Sequence, residues 1–147
     1  MKSDYLKYWK VIRNYFKIKY EISQAEMDIV LFLYSERYFN KSKFSKFNNI
    51  MSWDVKRFDG LLKKGWIEVF RKREGNKATL YKLSHRANKM INDMYKKLNG
   101  DEITEDPRYN PMYRKNTRYV NKVYRNVITE MNQEIRKKRL EAQEPQD

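Results

Sequence analysis

A mainly α fold carrying one small β-hairpin is predicted for this chain by three observations. Apolar residues recur at steps of three and four through most of its length. The period becomes strand-like only over residues 66–83, around the turn residues Glu74-Gly75-Asn76. Helix-start and helix-stop residues punctuate the segments between: Ser23, Ser52, Ser84 and Pro111 at starts, Gly65 and Gly100 at ends.

Taken in order, residues 4–20 form a first helix. Tyr5, Trp9, Ile12 and Phe16 fall on one face, widened by Tyr8 and Tyr15, with Lys7, Lys10 and Lys17 on the other side. Ser23 and Glu26 have capping-box spacing, so a second helix starts there. Its Met27, Val30, Leu31, Leu33 and Tyr34 are apolar nearly all round, which predicts a central position and an end near residues 37–39. Asn40 or Ser42 caps a short helix carrying Phe44 and Phe47, and Asn48-Asn49 reads as a turn.

Ser52 caps the next helix, which runs to Lys64 and buries Val55, Phe58, Leu61 and Leu62; Gly65 ends it in a left-handed cap. Residues 66–72 and 78–83 are the two strands. Ser84 caps a helix through Leu98 with Ala87, Met90, Ile91, Met94, Tyr95 and Leu98 on its apolar side, and Asn99-Gly100 ends it. An acidic stretch, residues 101–106, reads as a solvated connector. Asn110-Pro111 then opens a helix of about 30 residues, ~45 Å long. Along it Tyr113, Thr117, Val120, Tyr124, Val127 and Met131 step by four and three, joined by Val123, Ile128 and Ile135. The expected organisation is one domain over 1–141, with a core over 22–98 and helical arms over 4–20 and 111–141. Residues 142–147 are a frayed tail.

Composition bounds the function. The chain has 147 residues, 40% hydrophobic and 15% aromatic, enough for a packed core without staples. It has no cysteine, which excludes thiolate metal sites, thiol nucleophiles and thiol switches. Its single histidine, His85, excludes a multi-histidine metal site and suits a surface or packed position better than a pH sensor. The longest apolar run, Ile29 to Tyr34, is far short of the ~20 residues of a membrane span, and the first ten residues lack the apolar stretch of a signal peptide. No nucleophile–base pair, phosphate-cradling glycine loop or metal cluster is visible, so no enzyme and no cofactor are expected. The expected setting is cytoplasmic and nucleoid-associated. The excess of Lys, Asn, Tyr, Ile and Phe over alanine reads as an AT-rich coding genome, bacterial or viral in a bacterial host.

The net charge of +14 predicts polyanion partners. It is uneven: net +5 over residues 1–20, +4 over 52–77 and +7 over 108–141, with 21–51 and 78–107 balanced. The excess around the hairpin turn, carried by Arg71, Lys72, Arg73 and Lys77, is more than a solvated helix face requires.

Three short helices followed by a hairpin are the order of a winged helix-turn-helix, here with N- and C-terminal helices placed to pair two copies. In that arrangement the second helix of the turn enters the major groove and the hairpin reaches over the backbone. The candidate DNA-binding residues are therefore Ser52, Trp53, Lys56 and Arg57 on the fourth helix, Arg71, Arg73 and Lys77 on the wing, and Lys43 and Lys46 on the short helix. Ser52 equally suits a plain helix cap, and Trp53 a packing role. Lys63 and Lys64 answer the helix dipole, and Arg136 to Arg139 solubilise a helix end.

Leu61-Leu62-Lys63-Lys64-Gly65-Trp66-Ile67-Glu68 resembles the junction between recognition helix and wing in MarR-type regulators, including their SarA-like branch. Ile22-Ser23-Gln24-Ala25-Glu26 resembles the start of their second helix, and Leu83-Ser84-His85-Arg86-Ala87 their strand-to-helix junction. The likeness covers roughly residues 4–98. It implies a homodimer, paired through its N- and C-terminal helices, that binds pseudo-palindromic duplex DNA and regulates transcription. It also raises a small aromatic effector as a partner, although the Tyr and Trp of the terminal helices suit a dimer core better than a ligand pocket. The sequence departs from the family in its short turn, Arg73-Glu74-Gly75-Asn76-Lys77, which lacks an Asp-x-Arg pair, and in Asp54 and Arg57, which stand at usually apolar positions. The competing expectation is a winged-helix protein-interaction module, an accessory subunit of a polymerase or a virion assembly, without sequence-specific DNA binding.

Overall fold

The computed structural model describes residues 5–51 and 55–143. Among them are six α-helices and one two-stranded antiparallel hairpin. Where the sequence predicts one domain over 1–141, chain contacts gather in two compact units. One comprises residues 23–92 and the other the described residues up to 22 and from 93 onward.

In the first unit, α2 (Gln24–Leu33) opens with the predicted capping box. The Glu26 N–H donates to Ser23 Oγ at 3.1 Å and the Ser23 N–H to Glu26 Oε1 at 3.2 Å, satisfying two amides that the first turn leaves open. Met27, Ile29, Val30 and Leu33 are buried. The helix tightens into a 3-10 turn, Tyr34–Glu36, and stops at Arg37, whose φ of 58° and ψ of −67° are those of a strained γ-turn. The Tyr38 N–H closes it onto Glu36 O at 2.6 Å. Phe39 then exchanges two backbone hydrogen bonds with Tyr81, at 3.0 and 2.7 Å. This adds a one-residue third rung to the hairpin that no sequence signal marks.

Asn40 Oδ1 accepts from the Lys43 N–H at 2.8 Å and so caps α3 (Lys41–Met51). This helix runs through Asn48 and Asn49, where the sequence predicts a turn. Asparagine is only mildly disfavoured inside a helix, and a capped helix propagates through it. After α4 (Val55–Lys63), Gly65 adopts φ 79°. The Trp66 N–H reaches Leu61 O at 2.9 Å and the Gly65 N–H reaches Leu62 O at 3.1 Å, the predicted left-handed cap.

Strand β1 (Ile67–Arg71) pairs with β2 (Leu80–Leu83), Ile67 opposite Leu83. Both strands are shorter than predicted. A bulge between Val69 and Arg71 leaves Phe70 without a partner, and Glu74 and Lys77 close the turn through their own pair of bonds. Ser84 Oγ accepts from the Ala87 N–H and starts α5 (His85–Leu98) as expected. Phe58 is the hub of this unit, with edge-on rings at 4.9 Å from Phe44, 4.8 Å from Tyr81 and 6.5 Å from Phe39. It ties α3, α4 and the hairpin together.

In the other unit, α1 (Tyr5–Tyr20) buries Val11, Ile12, Tyr15 and Phe16, whereas Tyr5, predicted on the inward face, is exposed. Ahead of the last helix the chain departs from expectation. Asn110 Oδ1 caps only a 3-10 turn, Pro111–Tyr113, after which Arg114 is extended; α6 (Tyr119–Gln143) starts eight residues later than Pro111. The Tyr113 hydroxyl donates to Arg125 O at 3.0 Å and lies 2.9 Å from Thr129 Oγ1. On a continuous helix Tyr113 and Arg125 would stand ~18 Å apart, so this contact requires the chain to double back.

The acidic connector is not simply solvated. Ile103 and Asn132 are buried, and the Asn132 side chain holds both backbone groups of Ile103. Glu102 accepts from Arg136 at 2.7 Å and from Arg139 at 3.1 Å. No helix among the described residues is long and apolar enough to cross a membrane.

Candidate nucleic-acid interface

Residues 23–92 carry fifteen Lys and Arg against seven Asp and Glu, a net +8. The packing decides where those charges point. Phe58 and Leu61 are fully buried from α4, while Lys56 and Arg57, just ahead of Phe58 on the same helix, are exposed. They line a cleft of about 360 Å³ with Ser23, Glu26, Gly60 and Lys64. Among the described residues Glu26 is the only acid lining this cleft, and it is occupied. Lys64 Nζ donates to it at 3.0 and 3.1 Å while the Ser23 cap holds the same carboxylate. Burial pushes the Glu26 carboxyl up, but the Ser23 and Lys64 hydrogen bonds outweigh it and leave the group below its ordinary range. The acid thus stays charged and paired to Lys64, a partnership that sequence spacing of 38 residues could not reveal.

On the hairpin, Arg73 and Lys77 are exposed at the turn, and the Arg73 Nε–H donates to Gly75 O at 3.4 Å. Arg71 behaves otherwise: it is half-buried, and its Nε is buried without a hydrogen-bond partner. On α3, Lys46 is exposed, but Lys43 forms an ion pair with Glu36 at 2.6 Å, and Lys41 sits 5.6 Å from the Phe58 ring centre and 3.9 Å from Asp59. Ser52 and Trp53, with Asp54 beside them, lie outside the described residues. The structure thus gathers Lys56 and Arg57 in one cleft and sets Arg73 and Lys77 at one turn, while Lys43 is paired with Glu36 and Arg71 is half-buried.

Two basic stretches are engaged elsewhere. Arg136 and Arg139 of α6 answer Glu102 and Glu105 of the connector, so that part of the C-terminal charge is already neutralised. A cavity of about 510 Å³ lies among Tyr5, Tyr8, Leu98, Met131, Ile135 and Lys138, all of the second unit. Of the terminal-helix aromatics weighed from the sequence as a pocket, Tyr5 and Tyr8 line it. Tyr8 donates to Glu134 there.

The sequence misses a further group. Tyr38 and Phe70 are stacked at the surface with ring centres 4.1 Å apart and planes at 29°. Neither the γ-turn that delivers Tyr38 nor the bulge that delivers Phe70 carries a glycine or proline to announce it. No family model, curated protein or solved structure matches this chain.

Proposed function

We propose that this protein is a duplex-DNA-binding regulator in which residues 23–92 act as a winged helix-turn-helix. The observation that carries the reading is the exposure of Lys56 and Arg57 on α4, a helix fixed from behind by Phe58 and Leu61 and followed directly by a hairpin with Arg73 and Lys77 at its turn. The Phe39–Tyr81 pair supports it, because a strand inserted between the first two of three helices and paired with the hairpin is part of that fold's layout. The Leu61–Glu68 junction, with its left-handed Gly65, supports a MarR-type relationship.

In this reading α4 lies in the major groove and Lys56 and Arg57 reach base edges or phosphates. The wing cations contact phosphate, and affinity falls steeply with salt as counterions are released. Two copies pair through α1 and α6. Tyr119 and Val120, 79% and 59% exposed at the start of α6, support a self-complementary apolar face.

The test is binding of the full chain to a short duplex across a salt series. Arg73→Ala lowers affinity on every sequence and makes the log–log salt slope shallower by about 1. Lys56→Ala lowers affinity and changes sequence preference. Absence of duplex binding at low salt removes the reading, and a folded monomer with α6 exposed would then favour the protein-interaction module.

A further inference from the structure

Beside the Tyr38–Phe70 stack lies a cleft of about 510 Å³, within the range of small-ligand sites. Tyr38, Arg37 and Lys82 line it together with Ser35 and Asn88, and none of the described residues lining it is acidic. Glu36 is paired with Lys43 at 2.6 Å, and Glu68 stands 3.5 Å from Lys82 in a solvent-exposed ion pair, weak enough for a phosphate to displace. Both rings of the stack are about half exposed, Tyr38 at 46% and Phe70 at 47%, and the Lys82 ammonium stands 5.7 Å from the Phe70 ring centre.

Two independent backbone irregularities produce this arrangement. The γ-turn at Arg37, a non-glycine residue at φ 58°, brings Arg37 and Tyr38 to the cleft, and the bulge in β1 takes Phe70 out of the ladder. The turn also leads into the buried Phe39, but burying Phe39 does not require Tyr38 and Phe70, both at the surface, to stack. Strain and bulges of this kind persist where the geometry they create is used.

We propose that this cleft binds a nucleotide, with the base extending the Tyr38–Phe70 stack and the phosphate held by Arg37 and Lys82. Ser35 and Asn88 supply donors and acceptors for the base edge or sugar. Every base offers a π-face, so stacking of this kind tolerates any sequence, and an arginine and a lysine beside aromatic rings match a base linked to a phosphate. A base within a duplex is already stacked on both sides. The ligand is therefore a free nucleotide or an unpaired nucleotide of a strand. The site shares no residue with the α4 cleft, so it stands or falls separately from the duplex reading.

The experiment titrates the full chain with AMP by calorimetry and with a fluorescein-labelled oligo-dT by anisotropy. Binding of AMP alone identifies a free nucleotide as the source, and binding of the oligonucleotide without AMP identifies an unpaired strand. In either case Tyr38→Leu weakens binding about tenfold, Tyr38→Phe retains it, and duplex affinity is unchanged in both variants. Lys82→Gln, half-buried on β2, checks the phosphate contact: it weakens AMP about tenfold and leaves adenosine, which has no phosphate, unaffected, whereas equal weakening of both would show that the stack and not the phosphate had been lost. Failure of both probes to bind at millimolar concentration overturns the proposal, as does wild-type affinity in Tyr38→Leu.

Discussion

Asn132 offers the sharpest test of how the acidic connector is held. It is 1% exposed on α6, and its side chain closes a two-bond ring with the backbone of Ile103. Asn132 Nδ2 donates to Ile103 O at 2.7 Å, and Asn132 Oδ1 accepts from the Ile103 N–H at 3.2 Å. Asn132→Leu keeps the volume but orphans both buried groups. Each orphan costs about 1–3 kcal/mol, so the variant loses roughly 2–6 kcal/mol. Asn132→Asp separates the two bonds by pH. Its carboxylate still accepts from the N–H but faces the carbonyl, and burial and that carbonyl both raise its folded pKa above the unfolded value of ~3.9. The protonated acid restores the donor. Stability relative to wild type is therefore kept below the unfolded pKa and is lost as pH rises through the folded one. Urea unfolding followed by far-UV circular dichroism, with each variant compared with wild type at the same pH, measures both effects. The reasoning is refuted if Asn132→Leu lies within 0.5 kcal/mol of wild type, a cutoff set by ordinary surface substitutions at about ±0.5 kcal/mol, or if the deficit of Asn132→Asp does not shrink on acidification.

Three further outcomes follow from named features. Glu21 ends α1 at φ 51°, with the Ile22 N–H bonded to Lys17 O, so Glu21→Gly raises stability by about 0.5–1 kcal/mol in thermal unfolding; a loss would show that its side chain contributes more than its strain costs. Arg37→Gly relaxes the γ-turn and raises stability by about 1 kcal/mol, and no gain in the unfolding midpoint would mean the turn is not strained. Glu26 has a lowered folded pKa, so its contribution is present above the unfolded value of ~4.3 and is lost as pH falls through the folded one. Glu26→Gln accordingly flattens the acid limb of the stability–pH curve, and an unchanged limb would detach the Ser23–Glu26–Lys64 link from stability.

The legible part of this molecule was local. Ser23 with Glu26, Gly65 and Ser84 mark helix ends through bonds that span three to five residues, and all three ends form as the spacing predicts. Asn48-Asn49 misled because a turn propensity is weaker than a capped, propagating helix. Pro111 misled because a good helix start also starts a 3-10 turn, and only the Tyr113 hydroxyl, bonded far along the chain at Arg125, decides between them. For the candidate interface, the charge of α4 and of the hairpin turn was evident from composition, but its availability was not. Lys64, Arg136 and Arg139 are committed to carboxylates 31 to 38 residues away.

Periodicity, caps and net charge are properties of neighbours, so the amino-acid order alone specifies a mainly helical chain, the hairpin and the places where positive charge concentrates. Which cations stay exposed, that Phe39 joins the hairpin, and that Tyr38 meets Phe70 are set by packing between distant segments. These depend on pairings across 31 to 42 residues, and on backbone strain at residues with no local preference for it.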